Sequence, residues 1–240
     1  GNNPYTNLGG SPWGTSNVMA KVSGITKTNN SVYRDNHASG HCAKMTTHIE
    51  TCKVLGLINI KVLAAGSIFL GDMKEPITGT KDGPKALNFG IPFTHRPKAL
   101  RYDYKVHVPG TPNRIRQTGF SKVTTVPGPD YCIAMLLLQK RHEDANGNIT
   151  AQRVGTVVVK YGKSTGGWVE DATYEIHYGN ITGKSFYNAA TMGLRSHDYA
   201  RNSKGKSVLV KETGWAPADA TPTHIVLQFS SSHGGAYVGT

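Results

Sequence analysis

Five residues within sixteen positions, His37, His41, Cys42, His48 and Cys52, are of the types that ligate transition metals. Their spacing argues against zinc, because zinc sites pair ligands two to four residues apart around a tight turn and no Cys-x-x-Cys occurs. If residues 40–49 form a strand, Cys42 and His48 share a face but stand about 20 Å apart at ~3.3 Å per residue. No metal site is therefore expected. Gly162-Lys163-Ser164-Thr165 has the ending of a phosphate-binding loop, but Val157 stands where that loop needs glycine and no helix follows. Ser230 to His233 lacks the Gly-x-Ser-x-Gly elbow of a nucleophilic serine, so these serines are expected at a strand end, bonding backbone.

Glycoside hydrolysis requires two carboxyl groups flanking the sugar linkage. Of 15 acidic residues, Glu143, Asp144, Asp171 and Asp219 fall in evident turns, and Asp72, Asp103 and Glu175 lie on or beside expected strands. Sugar binding has other needs: rings for C–H faces to stack on, and planar polar groups or Arg for the hydroxyls. Trp215, Tyr187, Tyr199 and Trp168 occupy polar, loop-like stretches and are the candidate platforms. Trp13 is as well explained as packing under a loop. Seven basic residues between Arg96 and Lys122 face a single acid, Asp103, and carry half of the net charge of +12. Arg96 and Lys98 head that group. Such a face attracts polyanions, or is simply well solvated. Tyr102 and Tyr104 alternate away from Arg101 and Lys105, which counts against nucleic acid, whose modules mix aromatics and basics on one face.

These side chains have to be positioned by strands. The 240 residues hold 28 Gly and 12 Pro with 38% hydrophobic content, which suits one domain of many short strands joined by turns. No run of 18 apolar residues occurs. Residues 224–230 alternate with one strongly apolar face, and the most apolar partner for them lies far upstream, at 57–71, itself broken near Ala65-Gly66. Residues 40–49 and 100–108 also alternate. Residues 131–140 are apolar without alternation, as a strand buried on both faces would be. Further strands are expected at 154–161, 173–178 and 207–211, and after a Gly-Gly turn at Ala236-Tyr237-Val238. Residues 144–148 form a turn, 72–99 a Pro/Gly-rich crossing and 109–130 a long loop with four prolines. The only helix is expected around Asn188 to Leu194. The fold class is all-β: an antiparallel sandwich or jelly roll of about ten to twelve strands, with a loose N-terminal segment over 1–15. Three cysteines make no disulfide framework. Cys132 is an inert core thiol, and a Cys42–Cys52 bridge would need the chain to reverse between them.

The segments Ala65-Gly66-Ser67-Ile68-Phe69-Leu70-Gly71, Gly90-Ile91-Pro92-Phe93 with Arg96-Pro97, Leu100 to Lys105, Asp130 before the buried strand, and Pro222 to Ser232 occur in a characteristic order. Together they resemble the putative carbohydrate metabolism domain of surface and periplasmic proteins of gut Bacteroidetes. The resemblance covers about residues 10–239. It implies a jelly roll similar to carbohydrate-binding modules, an extracytoplasmic setting with the leader removed, and no agreed catalytic residues to carry over. Members continue past the Gly-Gly turn into a further strand ending in an acidic pair, whereas this chain stops at Thr240. The reading favoured is a non-catalytic glycan-binding protein whose partner is a polysaccharide or oligosaccharide, acidic if the basic face takes part. A glycoside hydrolase and a general polyanion or nucleic-acid binder are the alternatives. No cofactor is expected; structural calcium is compatible with this class, though no residue pattern shows it.

Overall fold

The computed structural model describes residues 10–22, 24–54, 58–79, 82–117 and 122–233. Strand makes up 55% and helix 4% of them, against averages of roughly 20–25% and 30–35%, so the protein is all-β. In chain order the first strands are β1 (Trp13–Thr15), β2 (Met19–Val22), β3 (Ile25–Thr28), β4 (Val32–His37), β5 (Gly40–Met45), β6 (Thr47–Val54), β7 (Ile58–Ala65) and β8 (Ser67–Met73). Helix α1 (Gly83–Ala86) precedes β9 (Leu87–Phe89), β10 (Ile91–Pro92), β11 (Ala99–Tyr104), β12 (Asn113–Arg116) and β13 (Thr124–Pro127). The long strands β14 (Cys132–Glu143) and β15 (Ile149–Tyr161) come next, followed by β16 (Val169–Glu175) and β17 (His177–Tyr178). Helix α2 (Ala189–Met192), β18 (Asp198–Arg201), β19 (Ser207–Trp215) and β20 (His224–Ser230) complete the described chain.

The main sheet is curled and runs β1-β8-β20-β14-β15-β19-β18, with β9, β10 and β17 attached at β8, β20 and β15. β20 pairs with β8 as the alternation of both segments suggests, Gln228 opposite Phe69 and Ser230 opposite Ser67. Its other edge pairs with β14, from Ile133↔Ser230 to Gln139↔His224. Residues 133–139 of β14 are all buried because both faces of the sheet are covered. Leu136 and Leu138 join Val154, Val157, Ile176 and Leu227 on one face; Met135 and Leu137 join Phe69, Phe89 and Val226 on the other. On the first face the separate ribbon β11–β16 forms the second layer, with Leu100 and Tyr174 against the core.

A bulge alters the parity of β15. Leu138 pairs with Gly155 and Gln139 with Arg153, so Val154 is the extra residue. Val154 thus shares a core cluster with Val157, and Arg153 joins a buried polar network instead. The Arg153 and Glu212 side chains are 0% exposed and 2.5 Å apart. Glu212 also accepts from Arg153 Nε (2.7 Å), Gln139 Nε2 (2.7 Å) and the Arg195 amide (2.8 Å). Arg153 donates onward to Thr156 Oγ1 and to the carbonyls of Met192 and Gly193.

Several expectations change. Twenty strands replace ten to twelve among the described residues, because short edge pairs such as β2–β3 and β12–β13 carry little apolar signal. The loop expected over 109–130 contains β12–β13, with Pro127 at the ribbon's end, where a missing N–H is tolerated. The crossing expected over 72–99 holds α1, β9 and β10, so α2 is not the only helix, although it lies where expected and Asn188 Oδ1 caps it by accepting the Ala190 amide. The strand expected over 40–49 breaks at Thr46, whose amide bonds the Ser31 carbonyl; of its apolar side chains, Ala43 and Ile49 are exposed. Between β7 and β8 stands Gly66, where a side chain would strike Ser31 O at 2.3 Å. The segment expected to be loose ends in β1, paired to β8. Among the described residues, all strand pairs are antiparallel except β15 with β19, which is parallel. The expected strand at 236–238 and the Cys52 side chain lie outside the described residues, and Cys42 is a free thiol. No described helix is long and apolar enough to cross a membrane.

Two stability tests follow from this core. Glu212→Ala strands a buried guanidinium and should cost about 3–5 kcal/mol in urea unfolding. His224 is pushed down from 6.5 to about 4 by burial first and the nearby Arg141 charge second. Its folded state prefers the neutral ring, so this contribution is complete above pH 6.5 and is lost as pH falls towards about 4. Urea midpoints should decline across that window in the parent and decline less in His224→Gln.

Candidate functional site

The cleft between the hairpin β4–β5, the strand β11 and the end of the main sheet has a volume of about 760 Å³, within the ~300–1,000 Å³ of ligand pockets. Its floor is aromatic. Tyr102 and Tyr104 face inward while Arg101 and Asp103 stay exposed, as the alternation of 100–108 implies. Tyr102 packs edge-on against Phe229 with centroids 4.9 Å apart, and Tyr104 lies 4.4 Å from Tyr161. The hydroxyls of Tyr102 and Tyr161 are hydrogen-bonded, and Tyr161 Oη donates to Tyr174 Oη at 2.9 Å. Burial pushes the phenols of Tyr102 and Tyr161 well above the ordinary tyrosine range. They are fixed neutral donors and acceptors.

The rim carries two indoles, Trp13 (38% exposed) and Trp168 (37%). Trp168 stacks on the His37 imidazole at 3.7 Å with planes 21° apart. His37 ends β4 at the hairpin tip, where Ala38 takes a positive φ of 48°. Its Nε2 lies 3.3 Å from Asp103 Oδ2 and 3.1 Å from Glu170 Oε2. The ligating atoms of the three residues lie within 4.8 Å of one another. Asp103 sits at the register shift between Tyr102 and Tyr104, and its other oxygen accepts the Asp171 amide at 2.7 Å. That amide, and then His37, hold the Asp103 carboxyl below the usual carboxylate range.

The residues singled out in the sequence are dispersed over the molecule. Of the six candidate binding residues, only Trp168 lines the cleft. Trp215 ends β19 instead of lying in a loop; it is half-buried, edge-on to Tyr187 with Arg153 5.5 Å over its ring. Tyr199 lies in β18, opposite Leu209. Arg96 bonds the carbonyls of Ala218 and Ala220 and lies 4.2 Å over the Tyr178 ring; Lys98 is exposed, and its carbonyl accepts the Ile176 amide. Asp72 is taken up by Asn88 and Arg201, and Glu175 is exposed at the end of β16. His41 bonds Arg34 and Asn36, and His48 bonds Glu50. The Gly162–Thr165 turn is structural: Ser164 and Thr165 hydroxyls accept the amides of Val108 and Val106. Ser231 likewise accepts the Gly66 amide, and Ser230 donates to the Ser232 carbonyl. Trp13, read as equally able to pack under a loop, is exposed on the rim, and no signal in the sequence marks Glu170.

Comparison with known proteins gives one match. A family model described as "Putative carbohydrate metabolism domain" (PCMD) matches residues 2–202. No curated protein and no solved structure matches the chain. β19 and β20, with the closing 222–232 segment, lie beyond the matched span.

Both Cys42 and Cys132 line the cleft. Burial, then Asp130, pushes the Cys132 thiol up to about 12, so it holds its proton at neutral pH. Alkylation of the native protein at pH 8, followed by peptide mapping, should label Cys42 well before Cys132; equal rates would contradict this burial.

Proposed function

The chain belongs to the PCMD family, and from that premise we propose that it binds glycan at the tyrosine-floored cleft without cleaving it. The observation that carries this reading is the pair of exposed indoles, Trp13 and Trp168, on the rim of one cleft. A partly exposed indole with one face backed by His37 is a platform for a sugar C–H face. The neutral tyrosine hydroxyls below offer hydrogen bonds without the cost of desolvating charge. Stacking is thereby assigned to Trp168 and Trp13; Trp215, Tyr187 and Arg96 are already engaged in packing and turn-holding, and Tyr199 lies away from the cleft in β18. Exposed Lys44 and Lys105 also line the cleft, which favours glycans bearing carboxylate or sulfate. An extracytoplasmic setting, where polysaccharides are met, accords with this use.

A glycan array followed by titration calorimetry tests the proposal. Trp168→Ala and Trp13→Ala should each weaken the best hit by about 1–3 kcal/mol, as buried aromatic anchors do. Trp215→Ala should lower stability and leave affinity in place. Wild-type affinity in both rim variants would overturn the cleft as the site. One observation favours a second reading: the Asp103 and Glu170 carboxylates stand side by side next to the cleft, and glycoside hydrolysis works through a pair of carboxyl groups. Asp103 is held ionised, so Glu170 would have to donate the proton while its oxygen faces His37. Release of reducing sugar from an array hit, abolished in Glu170→Gln, would establish hydrolysis in place of binding alone.

A further inference from the structure

The geometry points to a further site: His37, Asp103 and Glu170 form a three-ligand site for a zinc-type divalent cation at the rim of the cleft. The three residues come from β4, β11 and β16, so three separate strands converge on one point. His37 Nε2 lies 3.1 and 3.3 Å from the two carboxylate oxygens. With zinc–nitrogen and zinc–oxygen bonds of ~2.0–2.2 Å, neighbouring ligands of a tetrahedral ion stand about 3.3–3.5 Å apart, so both distances are close to the edge of such a tetrahedron. One imidazole and two carboxylates suit a borderline cation. Calcium takes six to eight oxygens and magnesium an octahedron of them, which this set does not supply.

Contacts outside the cluster orient the ligands. The Trp168 ring stacks on the imidazole and fixes its plane. The Asp171 amide bonds Asp103 Oδ1 and leaves Oδ2 towards His37, as outer hydrogen bonds do for metal ligands. A single ring nitrogen faces two carboxylates, and a neutral imidazole has at most one proton there to share between them. A dication in place of that proton would serve all three groups. The Glu170 side chain is 58% exposed, so the cluster is reachable from solvent. Three protein ligands leave the fourth tetrahedral position to water or to an oxygen of a bound molecule. Nothing in this inference depends on whether the cleft takes glycan.

Calorimetric titration of the full chain with zinc chloride, in chelator-free buffer without any sugar, tests the site. The expected result is one saturable site, matched by the intense visible bands of tetrahedral cobalt(II) when cobalt is used instead. Asp103→Asn and Glu170→Gln, near-isosteric and on exposed side chains, should each weaken zinc binding at least ~10-fold with an unchanged circular dichroism spectrum. His41→Ala and His48→Ala should leave it unaltered. Zinc affinity that survives Asp103→Asn and Glu170→Gln, or that follows His41 or His48, would overturn the assignment. So would the absence of any saturable zinc binding, which would leave the cluster as a ring nitrogen hydrogen-bonded between two carboxylates.

Discussion

The ion pair between Arg153 and Glu212 is the constraint on which the rest of the sheet depends. Two charges with no solvent exposure are tolerated only if their remaining donors and lone pairs are matched. Here Gln139 comes from β14, Arg153 and Thr156 from β15, Glu212 from β19, and two carbonyls from the end of α2 and the residue after it. The requirement holds four elements in one register. It also explains the bulge at Val154, which is what turns Arg153 out of the apolar cluster and towards Glu212. The pair also crosses the parallel junction between β15 and β19.

The other end of the same two strands does different work. Cys132 and Ile133 of β14 and Tyr161 of β15 face the cleft, so its floor extends the rigid centre of the sheet. The rim instead comes from small two-stranded ribbons, β4–β5 and β11–β16, with few fully buried residues. A firm aromatic floor with an exposed rim limits the ordering that a ligand must impose on binding. His37 joins these ribbons through its contacts with Trp168, Asp103 and Glu170, so the rim closes through one side chain.

Much of the core was legible from pattern alone, and the reason is local. The unbroken apolar run at 132–138 has to be covered on both faces, and the alternation of 224–230 asks for a partner as apolar as 67–70. Asn188 before Ala-Ala-Thr-Met is a recognisable cap. The short ribbons were hidden because their residues are half-exposed and rich in proline or charge, as at β12–β13. The site was hidden for a stronger reason. His37 meets Asp103 and Glu170 across 66 and 133 positions, and no spacing rule reaches that far. A search confined to 37–52 includes His37 but neither of the carboxylates it meets. Trp168 was chosen for its polar surroundings, which do mark an exposed ring; the same criterion also drew in Trp215, which packs beside a buried arginine.

The position of β20 has a consequence for synthesis on the ribosome. It lies between β8 and β14, yet it emerges more than eighty residues after the start of β14. Until residues 224–230 leave the exit tunnel, the apolar edges of β8 and β14 have no native partner between them. Unpaired strand edges of this kind are templates for pairing with other chains. The nascent protein therefore passes through a window in which its two best strands are exposed, and the interval closes only when its most distant segment inserts. Chaperone demand and yield on overexpression should be set in that window, by the delay before β20 arrives, more than by the stability of the finished sheet.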